Sequence, residues 1–362
     1  METITYIAQQ FALPGPIKSI EPYGDGHIND TYLVKLRSGT QEFMLQRIND
    51  KVFKDVPVLM SNIDKIIRHI NAYFEAHRLP ADSRFLKLVY TKLDHAYYQS
   101  KSGYFRMYEY IPNSITYMTA PSLPHLEAAG KAIGEFQKML TGFDATQLSE
   151  TIPLFHDTPS RVETLIKAIA IAQPQRFEKA REIITLALDR QSYAATVTDA
   201  IAKGEVPIRV THNDTKITNI LYKVDSVEAI CLVDLDTVMP GSVLYDFGDA
   251  VRSACATGAE DETNLESVKL DIRKFEHLTQ GFLSVMKDEL KPKEIDLLAF
   301  APILLTYELA VRFLTDYLLG DVYFKIDYEE QNLVRAQNQF QLMKSMESKL
   351  ASMQKAVADL LK

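Results

Sequence analysis

Cysteine is scarce in this chain of 362 residues, and an excess of positive charge is absent. Its two cysteines, Cys231 and Cys255, each lie in an apolar stretch. This argues against a disulfide framework or a cysteine-bound metal and favours a reducing cytoplasm. The net charge of -8 at pH 7 argues against nucleic acid as the main partner, because such binding requires a basic surface.

A long uncharged apolar run is also missing. The most apolar window, residues 295–319, contains Pro302, Glu308, Arg312 and Asp316. It therefore falls short of the ~20 uncharged residues that a membrane span needs, and we predict a core helix. The opening METITYIAQQFALPGP has neither the basic start nor the cleavage site of an export signal. We expect a cytoplasmic protein that does not use a membrane as a partner.

Strand-type and helical patterns occupy different parts of the sequence. The first hundred residues are rich in β-type segments around one helix, whereas the remainder is mainly helical apart from short strands within residues 208–236. Pro112 and Asn113 interrupt the pattern between the two parts. The length suffices for two lobes. We predict an α+β fold with an N-terminal lobe at 1–112 and a C-terminal lobe at 113–362.

The last predicted helix has an apolar residue at every seventh position. Met343, Leu350 and Val357 form this stripe. A heptad stripe can bind a partner helix, but so short a stripe is better explained by packing on the protein's own lobe. We therefore expect a monomer or a weak homodimer.

A polar segment, VTHNDTKITNILY at 210–222, connects two β-type runs. Burying a polar group without a partner costs roughly 1–3 kcal/mol, so the segment needs a dense hydrogen-bond network or a place at an opening. His212, Asp214 and Asn219 have the spacing H-x-D-x-x-x-x-N of a phosphotransferase catalytic loop. There a carboxylate accepts the hydroxyl proton of the acceptor, and an amide oxygen reaches a metal ion. A turn whose Asp and Asn bond their own backbone is the alternative.

Four carboxylates in the next segment, DLDTVMPGSVLYDFGD, favour the catalytic interpretation. Such a concentration of negative charge needs a cation or hydrogen-bond donors. Magnesium usually takes one or two protein carboxylates and fills its remaining positions with phosphate and water. Asn219 and Asp234 can meet that requirement. The four carboxylates are Asp234, Asp236, Asp246 and Asp249.

The turn YGDGHIND at residues 23–30 contains two glycines. Glycine lets backbone N–H groups approach phosphates closely, although a plain hairpin turn is the commoner explanation of such a pattern when it stands alone. Together with HNDTKITN and the DLDTVMPG segment, this turn resembles the aminoglycoside phosphotransferase and choline kinase superfamily. Within this superfamily, the sequences of these motifs are similar to those of the N-acetylhexosamine 1-kinases. GHINDTY, LQRIN, YEYIPNS and ELAVRFLTDYLLGDVYFK extend the resemblance over most of the chain.

The resemblance implies a protein-kinase-like fold, with ATP held between a sheet-rich N-terminal lobe and a helical C-terminal lobe. It implies that Asp214 is the catalytic base and that Asn219 and Asp234 bind Mg2+. The glycine turn would cover the phosphates, and the edge between the last strand and the linker would meet adenine through backbone groups. The nucleotide-binding residues that it implies are Gly24, Gly26, His27, Met107, Glu109 and Tyr110.

The third strand departs from the family pattern, which has a lysine that pairs with the α/β-phosphates. FMLQRI has Gln46 and Arg47 at that place. Alternation along a strand lets only one of them face the cleft. We predict that Arg47 contacts phosphate, because a guanidinium group suits bidentate phosphate binding. Its acidic partner on the following helix stays open between Asp64 and Glu75.

Three charged residues lie four apart in the apolar window: Glu308, Arg312 and Asp316. On a helix they share one face, so they form either a buried salt-bridge ladder or part of a wet pocket. The resemblance to hexosamine kinases favours contact between Arg312 and the hydroxyl groups of a sugar. The sugar-binding residues that it implies are His212, Asn213, Arg312 and Tyr323, with His27 open between sugar and phosphate.

We therefore predict an ATP- and Mg2+-dependent kinase that phosphorylates the anomeric (C1) hydroxyl of an N-acetylhexosamine such as GlcNAc or GalNAc. This hydroxyl is more acidic than an ordinary sugar alcohol, so one base is adequate. Two alternatives stay open: a kinase of another hydroxylated metabolite, of the amino alcohol or aminoglycoside type, and a catalytically inert kinase-like binding protein. Arg312 argues against a cationic acceptor, and the complete set of Asp214, Asn219 and Asp234 argues against inertness.

Overall fold

The structure is a computed structural model that describes residues 2–24, 29–78 and 85–362. Its N-terminal part contains a five-stranded antiparallel sheet with the strand order β1-β2-β3-β5-β4. The remainder is mainly helical, as the sequence predicts. The strands of the sheet are β1 (Ile17–Pro22), β2 (Asp30–Leu36), β3 (Glu42–Ile48), β4 (Tyr98–Ser100) and β5 (Gly103–Glu109).

Alternation along β3 and β5 gives this sheet two different faces. Leu45 and Met107 are buried on one face, in an apolar cluster with the short helix α1. Ile48 and Tyr108 lie on the opposite face and join the main core with helix α2. Gln46 shares this second face. The helices are α1 (Ile4–Ala8) and α2 (Val56–Ala76).

Two small sheets lie within the helical part and hold the polar segments. β7 pairs with β10, and β6, β8 and β9 form a three-stranded sheet in that order. The first polar segment connects β7 to β8, and the second connects β9 to β10. Because β7 pairs with β10 and β8 pairs with β9, the two segments lie close together. β6 follows Pro112 almost directly, so the chain changes sheets near the lobe division that we propose. The strands are β6 (Ser114–Ile115), β7 (Arg209–Thr211), β8 (Ile220–Lys223), β9 (Ala229–Leu232) and β10 (Met239–Gly241).

Helix α10 is the apolar helix that the sequence predicts, and its side chains are almost all buried. It ends at Gly320, whose φ of 97° is a left-handed conformation that glycine tolerates best. Helix α11 packs along α10 and buries Met343 and Val357, so its heptad stripe serves the protein's own core. The helices are α3 (Leu123–Met139), α4 (Thr158–Ile171), α5 (Pro174–Asp189), α6 (Thr196–Ala202), α7 (Val243–Ala254), α8 (Ile272–Met286), α9 (Pro292–Leu298), α10 (Ala301–Leu319) and α11 (Gln331–Leu360).

Among the residues that the structure describes, no single helix is both long and apolar enough to cross a membrane. The pair α9 and α10 meets these criteria when taken together, with a bend of 62° between the two helices.

Candidate active site

The segment between β7 and β8 brings Asp214 and Asn219 together. The Asn219 side-chain amide donates to the carboxylate of Asp214 at 2.8 Å and to its backbone carbonyl at 2.9 Å. Lys216 Nζ lies 2.8 Å from the same carboxylate. The side chain of Asp214 nevertheless remains 26% exposed. A carboxylate that is held in place and still reachable has the properties of a general base. Since the amide nitrogen of Asn219 is engaged, its oxygen is the atom available to a cation.

A buried carboxylate fixes the backbone of this loop. Asp246 accepts hydrogen bonds from the backbone N–H groups of His212 and Asn213 at 2.9 and 2.7 Å, and from the Gln137 side chain at 2.7 Å. The Thr215 hydroxyl donates to the Asp246 carbonyl. Burial raises the pKa of Asp246, although these donors oppose that effect. Asn213 has a φ of 65°, a left-handed conformation that asparagine tolerates better than most residues. The charge cluster in the sequence thus includes a carboxylate that organises the loop.

Asp234 lies in the second polar segment, directly after β9. Its φ of 64° is left-handed, and its side chain is half-buried. Burial and the neighbouring carboxylates of Asp236 and Asp214 raise the pKa of Asp234 to about 7. A carboxyl group in such a place is stabilised as the anion when a cation binds beside it.

The donor set fits Mg2+ rather than a metal held by the protein alone. Within residues 2–24, 29–78 and 85–362, no three His, Cys, Asp or Glu side chains are grouped as a metal cage. Mg2+ prefers oxygen ligands and takes several of them from phosphate and water. The carboxylate of Asp234 and the amide oxygen of Asn219 supply that kind of partial set.

Asp236 has a different environment from Asp234. It forms a buried ion pair with Arg106 of β5, and its second oxygen accepts a hydrogen bond of 2.7 Å from Asn29. Arg106 Nε donates to the Gln46 side chain at 2.9 Å. Gln46 in turn donates to the Thr31 hydroxyl at 3.2 Å. These five side chains, the interstrand network, tie three strands of the N-terminal sheet to the segment that carries Asp234.

The prediction that Arg47 rather than Gln46 faces the cleft is wrong. Arg47 pairs in register with Phe105 on the α1 face of the sheet, and its guanidinium lies 3.5 Å from Asp30. Gln46 pairs in register with Arg106 and faces Asp236. Alternation along β3 does not show whether Gln46 or Arg47 faces the helical part. That orientation is set by the pairing of β3 with β5, which is distant in sequence.

Neither candidate on α2 pairs with a basic residue of β3. Asp64 accepts hydrogen bonds from Arg68 and from the Tyr90 hydroxyl, and Glu75 is exposed near the end of the helix. The basic residue nearest to this role is Arg106, on β5, and its acidic partner lies in the helical part of the chain. No local sequence pattern predicts this pair, because its members are 130 residues apart.

The hydroxyl groups of two tyrosines connect the start of the glycine turn to the linker edge. Gly26 and His27 lie outside the described residues, whereas Gly24 has a φ of 71°. The hydroxyl of Tyr23 lies 3.2 Å from that of Tyr110, which links the turn to the linker edge.

Some backbone groups that the resemblance assigns to adenine are engaged within the protein. The carbonyl of Met107 accepts a hydrogen bond of 2.8 Å from the N–H of Val89. The N–H groups of Glu109 and Tyr110 donate to carbonyls of neighbouring segments at 2.9 Å each. Adenine binding at this edge therefore has to use the other backbone groups of these residues.

His212, which the resemblance assigns to sugar binding, is buried within the protein and is not exposed at the site. Its side chain is 0% exposed, and its Nε2 lies 3.0 Å from the carbonyl oxygen of Val233. The edge of Phe136 packs against the ring. His212 thus holds the two polar segments together. Asn213 is better placed for a ligand, because it lines a cavity while its amide donates to the Thr237 carbonyl at 2.8 Å.

This cavity, of about 210 Å³, lies beside the catalytic loop and contains a residue that the sequence argument missed. His156 lines it, packs against the ring of Tyr245, and has its Nδ1 2.8 Å from Glu308. Thr158 donates to the second oxygen of Glu308 at 2.6 Å. Glu308, isolated in the apolar helix, is the feature of the sequence that indicates a buried polar partner such as His156. Residues with polar side chains in the cavity wall are Glu150, His156, Asp157, Thr198, Asn213 and Tyr245.

Arg312 does not belong to a salt-bridge ladder. Glu308 is engaged by His156, while Asp316 accepts backbone N–H groups of the segment after α10. In the described part of the chain, Arg312 has no carboxylate within ion-pair distance. Its guanidinium lies between three aromatic rings, and one of them, Phe155, also lines the cavity. The centroids of Phe155, Tyr323 and Phe324 lie 5.5, 5.9 and 5.5 Å from its central carbon.

Comparisons with known proteins agree with this geometry. Residues 19–270 match the model of the Phosphotransferase enzyme family. An aminoglycoside phosphotransferase from Alicyclobacillus acidocaldarius superposes with a TM-score of 0.66 at 14% identity, covering 99% of this chain and 97% of that one. Spectinomycin phosphotransferase, solved with ADP and spectinomycin, gives 0.54 at 13%, covering 91% and 92%. Choline kinase LicA from Streptococcus pneumoniae gives 0.51 at 14%, covering 92% and 94%. These likenesses confirm the α+β, protein-kinase-like fold with a sheet-rich N-terminal and a mainly helical C-terminal part.

Proposed function

This chain belongs to the phosphotransferase enzyme family, and from that premise we propose that it transfers phosphate from ATP to the C1 hydroxyl of an N-acetylhexosamine. It is a small-molecule phosphotransferase of the aminoglycoside phosphotransferase and choline kinase type. The identity of the nucleotide, the metal ion and the acceptor are the parts that we propose. ADP in the spectinomycin phosphotransferase supports the choice of an adenine nucleotide.

Asp214 is the proposed base. Its carboxylate takes the proton of the C1 hydroxyl while the hydroxyl oxygen forms a bond to the γ-phosphorus. The bond between that phosphorus and the β–γ bridging oxygen breaks, and the products are the sugar 1-phosphate and ADP. Asn219 and Lys216 hold the carboxylate in place through hydrogen bonds of 2.8 Å. Positioning of this kind, together with stabilisation of charge, accounts for most of the catalysis in phosphoryl transfer.

Asn219 and Asp234 would hold Mg2+, which when bound neutralises charge on the transferring phosphates. The glycine turn with Gly24, Gly26 and His27 is proposed to cover the phosphates. The linker edge at Met107, Glu109 and Tyr110 is proposed to meet adenine through backbone groups other than the Met107 carbonyl and the N–H groups of Glu109 and Tyr110.

The observation that carries the sugar acceptor is Arg312, a guanidinium without an ion pair in the described structure, next to a cavity at the catalytic loop. A half-buried guanidinium without a direct ion pair needs polar partners for its N–H groups, and the hydroxyl and acetamido groups of a sugar supply them. A cationic amino alcohol would instead be repelled by it. Asn213, His156 and Tyr323 complete the proposed acceptor site. We also propose that the enzyme acts in the cytoplasm, which suits its two buried free thiols.

The test uses the purified protein with ATP, Mg2+ and a panel of acceptors, scored by ADP release. We expect release with GlcNAc or GalNAc and none with their methyl glycosides, whose C1 oxygen carries no proton. Choline, ethanolamine and an aminoglycoside serve as the amino alcohol and antibiotic acceptors. ADP release with the methyl glycosides would contradict phosphorylation at the C1 hydroxyl. ADP release with choline and with no other acceptor would contradict a sugar as the substrate.

Asp214→Asn provides the matched control for background hydrolysis. Loss of a general base typically lowers turnover by about 10²–10⁴-fold, whereas nucleotide binding loses no direct contact. Retention of half the parental turnover would contradict the assignment of the base. Absence of ADP release from the parent with every acceptor, despite nucleotide binding, would support the inert binding protein instead.

A further inference from the structure

The interstrand network (Asn29, Thr31, Gln46, Arg106 and Asp236) connects the two parts of the proposed nucleotide site. Asn29 lies near the end of the YGDGHIND segment, directly before β2, and its side-chain amide donates to Asp236 at 2.7 Å. The Asn29 side-chain oxygen also accepts the N–H of Asn49, after β3, at 3.0 Å. Asp236 lies two residues after Asp234, the proposed metal ligand. The segment that would bind the metal is therefore joined, through the Asp236 carboxylate, to Asn29 of the YGDGHIND segment.

The ion pair at the centre of this network is buried completely enough to exclude direct contact with a ligand. Arg106 is 1% exposed and Asp236 is 3% exposed. Arg106 Nε and one of its terminal nitrogens are both engaged, by Gln46 and by Asp236. Arg106 thus acts on the site through other residues rather than by touching phosphate.

A buried ion pair is a poor source of stability, because the loss of hydration of both charges offsets most of their attraction. Apolar residues of similar volume often serve a core equally well. Here, however, one member of the pair comes from the sheet and the other from the metal-binding segment, so the pair fixes their relative position. Strand β3 cannot supply the charge for this purpose, because its inward residue is the neutral Gln46.

We propose that Arg106 is a positioning residue of the nucleotide site, which through Asp236 fixes Asp234 and, through Asn29, fixes the start of β2. This inference rests on the proposed use of ATP and Mg2+, but not on the identity of the acceptor. In this chain the basic residue of the sheet that faces the helical part is therefore Arg106 on β5, beside the neutral Gln46 on β3.

The test compares two ion pairs that are neutralised in the same way. In Arg106→Gln/Asp236→Asn both charges of the network are removed, so that no unpaired charge stays buried. In the control, Arg190→Gln/Glu347→Gln, the two-pronged pair between the end of α5 and helix α11 is removed. Neither control residue belongs to the proposed nucleotide or acceptor sites. The dissociation constant of ADP with Mg2+, the melting temperature and the two KM values are measured for each protein.

We expect the network variant to raise the dissociation constant of Mg2+–ADP and the KM for ATP by about tenfold or more, as for other outer-shell partners of a metal site, while the sugar KM stays within about twofold. The control should lower the melting temperature and leave both KM values unchanged. Equal nucleotide affinity in the network variant and the parent would overturn the inference. An equal rise of both KM values would also overturn it, because the pair would then serve the whole active site.

Asn29→Ala keeps the inference testable if the double variant does not fold. This change removes the hydrogen bond to Asp236, together with the one from the N–H of Asn49, and leaves the ion pair intact. A rise in the dissociation constant of Mg2+–ADP of about threefold or more is expected, from the loss of one hydrogen bond to a charged group. Parental affinity in this variant would show that Asp236 does not position the start of β2. A parent protein that binds no adenine nucleotide would instead refute the proposed function, which separates the two failures.

Discussion

Among single residues, Arg312 is the most informative for the acceptor that we propose. Its two potential partners on α10 are engaged elsewhere, and three aromatic rings surround its guanidinium. Contacts between a cation and aromatic faces are each worth about 0.5–1 kcal/mol at exposed sites, so they hold the group without neutralising it. The planar donors remain available to a ligand.

Arg312→Lys is expected to raise the sugar KM by about tenfold, because lysine keeps the charge but loses the planar set of donors. The KM for ATP and the melting temperature should stay close to parental values, since no ion pair is lost. Arg335→Lys is the matched control: this arginine on α11 also lies over an aromatic ring, that of Phe313, at 5.6 Å. A lower melting temperature with an unchanged sugar KM would mean that Arg312 has a structural role. The class of acceptor would then be unknown.

The charged and titratable groups around Glu308 make its contribution to stability depend on pH. Burial raises the pKa of Glu308, but His156, Arg312 and Thr158 outweigh burial and leave the pKa below its ordinary value. A depressed folded-state pKa stabilises the folded protein above the pKa of the unfolded chain, about 4.3, and this stability is lost as the pH falls through the folded-state value.

Glu308→Gln should therefore lower the free energy of unfolding at pH 6 more than at pH 3. We expect a loss of roughly 1–3 kcal/mol at pH 6, as for other broken buried hydrogen bonds, which shrinks toward pH 3. Urea unfolding of parent and variant at both pH values measures it. A difference that does not change with pH would mean that the Glu308 carboxyl has the same pKa in the folded and unfolded chain.

At the scale of elements, helix α3 is held against α8 closely enough to matter for the catalytic loop. A Cβ atom added to Gly130 would lie 1.9 Å from the backbone oxygen of Leu278, and one added to Gly281 would lie 1.8 Å from that of Glu127. These distances are impossible, so both glycines are required for the close approach. The same helix α3 carries Gln137, which donates to Asp246 under the loop.

Gly130→Ala is accordingly expected to push α3 away from α8 and to destabilise the protein by about 1–3 kcal/mol, the usual cost of overpacking. Turnover should fall as well, because Gln137 moves with the helix. Gly15→Ala is the control, since its nearest heavy atom would lie at an ordinary 3.6 Å. Thermal unfolding and kcat of both variants check this. Parental stability of Gly130→Ala would contradict the tight contact between the helices.

Elements with a strong local pattern were predictable from the sequence, and contacts between distant elements were not. The apolar periodicity of α10 and the spacing of Asp214 and Asn219 are local, and both appear in the structure as expected. The ion pair between Arg106 and Asp236 depends on which strand of the sheet faces the helical part, which no local pattern encodes. His156 likewise reaches Glu308 across 152 residues.

At the scale of the whole molecule, the sheet and the helical part meet at the segment that carries Asp234 and Asp236. A ligand that contacts both parts stabilises the folded protein by mass action, by about 2.7 kcal/mol at a concentration of 100 times its dissociation constant. If Asn219 and Asp234 hold the metal, part of this stabilisation depends on Mg2+. Because the pKa of Asp234 is raised to about 7, a proton competes with the cation for this carboxylate near neutral pH.

Asp234→Ala should abolish the part of nucleotide stabilisation that depends on Mg2+. For the parent, ATP with Mg2+ is expected to raise the melting temperature more than ATP with a chelator, whereas the variant should show the same small rise in both conditions. Asp189→Ala, at an exposed position at the end of α5, should behave like the parent. If Asp234→Ala keeps the difference between Mg2+ and chelator, the metal is bound elsewhere. Asp249 is then the first carboxylate to test, because it is near Lys216 and is paired with Arg252 by only one of its two oxygens.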